Sequence, residues 1–122
     1  RLVGYDLDAQ PDVIALTLHW QVLQTLLPAH HLFVHVDNEV GDTLAQEDGP
    51  PTTANGRAPT GSWLPDEFVS TVHTIPLSDE SAASAESIRL HVGIYNPDGN
   101  IRLPATIDGQ PSGDTAEIPL SP

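Results

Sequence analysis

The chain has no cysteine, no lysine and no methionine. Without cysteine there are no disulfides and no thiolate metal sites. With four arginines against 17 acidic residues, the formal net charge is −13. So acidic a chain repels phosphate backbones and anionic lipid surfaces, which argues against nucleic acid and headgroup partners. Like-signed molecules also stay apart in solution. No acidic cluster has the spacing of a calcium loop. Aromatic residues number only six, which leaves few platforms for stacking a ligand. The longest apolar run, Val13 to Leu18, falls far short of the ~20 residues a membrane helix needs, so this stretch of chain does not insert into a bilayer.

The sequence also lacks the motifs of common chemistry. There is no Gly-x-Ser-x-Gly elbow and no phosphate-cradling glycine-rich loop, so nucleophilic catalysis and nucleotide binding have no support. With 17 acids, chance carboxylate pairs are easy to find and would say little about glycoside hydrolysis. The reading is a non-catalytic domain with no cofactor.

What is present is alternation. Ile14, Leu16, Leu18, Trp20 and Val22 fall on one face of an extended segment, and Ala15, Thr17, His19 and Gln21 on the other. A period of two over nine residues predicts a half-buried strand with Trp20 in the core. The pattern returns in Ile88, Leu90, Val92 and Ile94 against Arg89, His91, Gly93 and Tyr95. Further strands are expected at Leu2–Asp8, His31–Val36, Thr43–Gln46, Glu67–Leu77, Ile101–Leu103 and Thr115–Leu120. Turn-forming residues at Asp37–Asp42 and Asn96–Asn100 set up two hairpins. Ser78–Ser87 is a small-residue polar connection with no apolar stripe, Asp108–Asp114 is a glycine- and proline-bearing loop, and no segment sustains helical periodicity. The 122 residues therefore predict one domain, 1–122. It is all-β, a two-layer antiparallel β-sandwich of about seven or eight strands, jelly-roll or immunoglobulin-like.

The idiosyncratic stretch is Glu47–Asp66, with Pro50, Pro51, Pro59, Pro65 and Trp63 and no periodicity. Structureless loops longer than ~12–15 residues are uncommon in compact domains and are often functional. Its prolines predict a loop laid down rigidly. Trp63 has two readings, a side chain that buttons the loop onto the sandwich or a platform for a sugar. In the second, Asp48, Asp66, Tyr95 and Arg102 would supply hydrogen bonds to hydroxyls. Six histidines invite a metal reading as well. His19, His35 and His91 all oppose the apolar side of their strands, and neighbouring strands would bring three imidazoles to one face. The plain alternative is three polar residues on a solvated surface. His30-His31 reads as a loop pair.

Several stretches taken in order resemble a known family. They are Leu2-Val3-Gly4-Tyr5-Asp6, Leu16-Thr17-Leu18-His19-Trp20 and Phe33-Val34-His35-Val36-Asp37, then Ala45 through Pro51 and Pro59-Thr60 with Ser62-Trp63. Val92-Gly93-Ile94-Tyr95 and Arg102-Leu103-Pro104 complete the set. Together they resemble the C-terminal soluble domain of bacterial polytopic membrane proteins related to mannosyltransferase- or arabinosyltransferase-type glycosyltransferases. Pro65-Asp66-Glu67 and Ala85-Glu86-Ser87-Ile88 depart from the family's usual turns, which touches loop shape more than fold. The resemblance implies a sandwich without assigned activity, borne on the extracytoplasmic side of a membrane protein, and it supplies no catalytic residues. A chain opening on Arg1 fits a piece excised from such a parent. The expected function is an accessory or interaction domain contacting the parent or the cell envelope. The alternative is a carbohydrate-binding module using the 47–66 loop and the 96–100 turn, and a distant third is a metal-dependent enzyme.

Overall fold

The computed structural model describes residues 1–10, 12–38, 40–77, 88–104, 106–107, 110–111 and 113–119. Its strands are β1 (Leu2–Ala9), β2 (Val13–Gln21), β3 (His31–Asp37), β4 (Thr43–Gly49), β5 (Thr52–Thr53) and β6 (Gly56–Arg57). They continue with β7 (Phe68–Pro76), β8 (Arg89–Asn96), β9 (Ile101–Arg102), β10 (Thr106–Ile107), β11 (Gln110–Pro111) and β12 (Ala116–Pro119). Among the described residues no helix is long and apolar enough to cross a membrane. The expected polar connection Ser78–Ser87 lies outside the described residues, as does part of the expected loop 108–114.

The chain folds as a two-layer antiparallel sandwich. One sheet runs β1-β2-β7 and the other β12-β8-β3-β4, with β9 added to β8. β1-β2 and β3-β4 pair as sequence neighbours, and the chain then changes sheet between β2 and β3, β4 and β7, and β7 and β8. That is the Greek-key order of an immunoglobulin-like sandwich, so of the two expected architectures the jelly roll is set aside.

Alternation dictates which residues meet. Ile14, Leu16, Leu18, Trp20 and Val22 are buried from one layer, and Leu32, Val34, Val36, Leu90, Val92 and Ile118 from the other. Fully burying a side chain of this size contributes roughly 1.5–3 kcal/mol. A one-residue slip of β2 would turn its four buried residues, Ile14, Leu16, Leu18 and Trp20, to solvent at once, so register is strongly specified.

Polar groups inside the sandwich are joined end to end. The Trp20 indole N–H donates to Thr71 Oγ1 at 3.0 Å, and the Thr71 hydroxyl meets His73 Nε2 at 2.8 Å. His73 Nδ1 meets Glu47 Oε1 at 2.7 Å, and Glu47 Oε2 accepts the Thr74 backbone N–H at 3.0 Å. A proton on Nδ1 satisfies the whole chain, with Thr71 donating to Nε2. Glu47 sits on β4 and His73 on β7, so the carboxylate ties the edge of one sheet to the edge of the other.

The proline-rich stretch closes one end of this core. β4 runs on to Gly49, so the irregular segment starts at Pro50 and not at Glu47. It forms the small β5-β6 ribbon and a single 3-10 turn at Thr60–Ser62. Thr60 is fully buried. Its hydroxyl accepts the His30 N–H at 2.8 Å and donates to the Leu26 carbonyl at 3.2 Å. Trp63 is 4% exposed, and its indole N–H donates to the Ala58 carbonyl at 2.8 Å. The Thr25 hydroxyl donates to the Trp63 carbonyl at 2.6 Å.

Candidate functional site

The outer face of the β12-β8-β3-β4 sheet concentrates the ring-bearing and ionisable side chains. With Leu32, Val34 and Val36 turned inward, β3 presents His31, Phe33 and His35 outward. Register then places their neighbours. Phe33 lies between Asp48 on β4 and Gly93 on β8, His35 between Gln46 and His91, and His31 beside Tyr95. Tyr95 in turn pairs with Arg102 on β9.

Phe33 is on the outer face yet only 2% exposed. Its ring fills the space above Gly93, where an added Cβ would lie 2.4 Å from the ring. The Arg102 guanidinium covers it from above, 4.4 Å from the ring centroid. Tyr95 and His35 flank it, with ring centroids at 6.1 and 5.1 Å. Around this plug runs a hollow of about 220 Å³ whose polar lining is Gln46, Asp48, His35, Asn100 and Arg102, with Tyr95 at its wall.

Both signs of charge are present there, and both are moored. Asp48 accepts from the Gln46 amide at 3.1 Å and stands 3.6 Å from His35 Nε2. Arg102 Nη1 donates to Asp114 Oδ1 at 3.4 Å. The Tyr95 hydroxyl lies 3.3 Å from His31 Nδ1, with the rings edge to face. Burial pushes the Tyr95 phenol above its ordinary value, and the charge of Asp48 pushes it further the same way. Asn100 closes the Asn96–Asn100 turn in a left-handed conformation, φ 55°, which asparagine tolerates better than most residues.

Of the five residues expected to bind a ligand, Asp48, Tyr95 and Arg102 are brought together here. Trp63 is not; it packs from the closing loop into the core, which favours the buttoning role over the platform. Asp66 also stands apart from the hollow. It occupies a turn at φ 69°, and its backbone N–H donates to the Val22 carbonyl at 2.8 Å. Sequence reasoning missed Phe33 and Gln46 as neighbours of this site, while Asn100 lies in the 96–100 turn expected at its rim. Gln46 and Asp48 were readable as one face, two residues apart, had the period of two been carried past Gln46.

The three histidines do not converge. His35 and His91 are cross-strand neighbours on one sheet. His19 projects from the other sheet, 2.7 Å from Asp6 Oδ2 and 2.8 Å from Ser70 Oγ. His91 is engaged by Asp37 at 2.6 Å. Among the described residues no group of three or more His, Cys, Asp or Glu is placed to hold a metal ion. His31 opens β3 where a strand is expected, and His30, its expected loop partner, is buried with Nδ1 2.7 Å from the Pro28 carbonyl.

No protein-family model matches the chain, and neither a curated protein nor a solved structure matches it.

Proposed function

We propose that this is a non-catalytic accessory domain whose contact surface is the outer face of the β12-β8-β3-β4 sheet. In this reading it is carried on the extracytoplasmic side of a bacterial membrane by a glycosyltransferase-like parent. The membrane context is supported by the ordered resemblance running from Leu2 to Pro104. The contact surface is supported by one observation, the gathering of Asp48, Tyr95 and Arg102 around the covered ring of Phe33 on a strand-built face. Side chains held on strands keep a binding geometry better than side chains on loops. The ionisable groups are tied to one another in cross-strand pairs, which suits recognition.

The test is topological. Protease added to intact spheroplasts expressing the full-length parent is expected to cut within this domain and leave a membrane-bound remainder. Cleavage only after lysis rejects the location, and a parent reading frame with no apolar spans rejects the membrane context.

A second reading, carbohydrate binding, is favoured by the mixed polar and aromatic lining of the hollow. It moves the site away from the long loop. The 96–100 turn keeps its place at the rim through Asn100, and Asp48 contributes from a strand.

A further inference from the structure

We infer that the hollow bounded by β3, β4, β8 and β9 takes one neutral sugar ring. This rests on the carbohydrate reading and narrows it to a ligand class and a size.

Size comes first. Pockets for drug-sized ligands run from roughly 300 to 1,000 Å³. At about 220 Å³ this hollow holds a single ring and excludes a run of several sugar units. Charge comes second. Asp48 repels an anion, Arg102 repels a cation, and a net charge of −13 further disfavours anions. A neutral ligand is the class that neither charge opposes.

Hydrogen-bonding capacity comes third. A carboxylate accepts about four bonds and a guanidinium donates five. Among the described residues, the Asp48 side chain has one hydrogen bond, to Gln46, with His35 Nε2 3.6 Å away, and the Arg102 side chain has one, to Asp114. The amide of Asn100 brings both donors and an acceptor to the rim. A hydroxyl both donates and accepts, so adjacent hydroxyls of one ring can bridge Asp48 and Arg102. The Tyr95 phenol is protonated at neutral pH, as a tyrosine with an ordinary value of ~10 is, and so it can donate. Phe33 is too covered to be a platform itself. The apolar face of the sugar would rest on Tyr95 and on the flat guanidinium that Phe33 supports from beneath.

The test is a ¹H–¹⁵N NMR titration of the 122-residue chain with D-mannose, D-glucose, D-galactose and L-arabinose in turn. Saturable shifts are expected at the amides of Gln46, Asp48, Tyr95, Asn100 and Arg102. Asn100→Gly suits the left-handed backbone and removes only the side-chain amide. It should weaken binding roughly three- to tenfold with the spectrum otherwise retained. Asp48→Asn should weaken it at least as much. Saturation at other amides, or half-saturation unmoved by both variants, overturns the inference. Linear mannotriose binding where no monosaccharide does overturns the single-ring claim and leaves the carbohydrate reading standing. Saturable binding by neither rejects both. Inorganic phosphate or calcium saturating the same amides overturns the neutral-ligand claim.

Discussion

One methyl group placed on Gly93 tests how the floor of the hollow is built. Gly93 lies within β8 with backbone outside the left-handed region, so alanine meets no conformational barrier there. On backbone grounds alone, glycine in a strand interior costs roughly 0.5–1 kcal/mol relative to alanine, and Gly93→Ala would stabilise. Packing argues the other way. The new Cβ would lie 2.4 and 2.5 Å from two atoms of the Phe33 ring and 2.9 Å from the Asp114 carbonyl oxygen. The ring cannot simply swing out, because Arg102 lies across it. Overpacking of this kind costs roughly 1–3 kcal/mol. The larger effect wins, and the net loss is about 0.5–2 kcal/mol, a Tm lower by roughly 2–10 °C for a domain of this size.

The assay is urea unfolding followed by fluorescence, since Trp20 and Trp63 are both buried and report loss of the core. The slope should be unchanged and the midpoint lower. Phe33→Leu removes the ring atoms that the methyl group strikes. In that background Gly93→Ala should cost at least ~1 kcal/mol less than in the natural chain, since contacting residues couple by 0.5–3 kcal/mol. Gly93→Ala that stabilises the natural chain, or a strictly additive double variant, refutes the packing described for Phe33.

Three further outcomes follow from the fold. Trp63→Ala should cost roughly 3–5 kcal/mol and open the 50–62 segment to limited proteolysis; retained stability and resistance would return Trp63 to the surface. Glu47→Ala strips the partner from the buried His73 Nδ1, a loss of about 1–3 kcal/mol. Thr74, whose amide Glu47 also binds, should then exchange its proton faster, and unchanged exchange would contradict the inter-sheet tie. The Tyr95 phenol, its ionisation raised by burial and then by Asp48, should titrate above the ordinary tyrosine value of ~10 in ultraviolet difference spectra corrected with Tyr95→Phe. Asp48→Asn should bring it part of the way back. Because the folded chain holds this proton longer than the unfolded one, its contribution to stability is complete below about pH 10 and is lost as pH rises through the raised value. Stability increasing over that window would contradict the assignment.

Alternation made much of this legible. β2 buries alternate residues from Ile14 to Trp20, as its apolar spacing predicts, and Trp20 lies in the core. β8 buries Leu90 and Val92 in the same way. Sequence spacing also put His19, His35 and His91 on outer faces. It had no means of saying which outer face, because strand order depends on where the chain crosses between sheets. β2 crosses over to β3, so His19 and His35 part company. The same gap hid Phe33. Period two placed it outside, but its burial comes from a glycine on one neighbouring strand and an arginine from another. Asp48 read as loop because the sequence signal for β4 fades into Glu47-Asp48-Gly49. Pairing with Leu32, Phe33 and Val34 carries the strand past the point where its own composition would end it.

The division of labour between loop and sheet has a physical cause. An irregular segment has no ladder, so its backbone and side chains must find partners singly. Residues 50–66 find theirs by closing the sandwich, and Thr60 and Trp63 are buried in doing so. A strand has its backbone bonds already made, which leaves every second side chain available to solvent. On β4 those residues are Gln46 and Asp48, and their position against His35 and Phe33 is set by register alone. That register is reached through the β3–β4 turn and a bulge beside it, since Asp37 pairs with Thr43 but Val36 with Ala45. There Asn38 Oδ1 accepts the N–H groups of Val40 and Asp42, and Gly41 turns at φ 92°. The geometry of the hollow thus rests on the register that β4 holds past the bulge next to the turn, and the loop that looks most specialised serves the core.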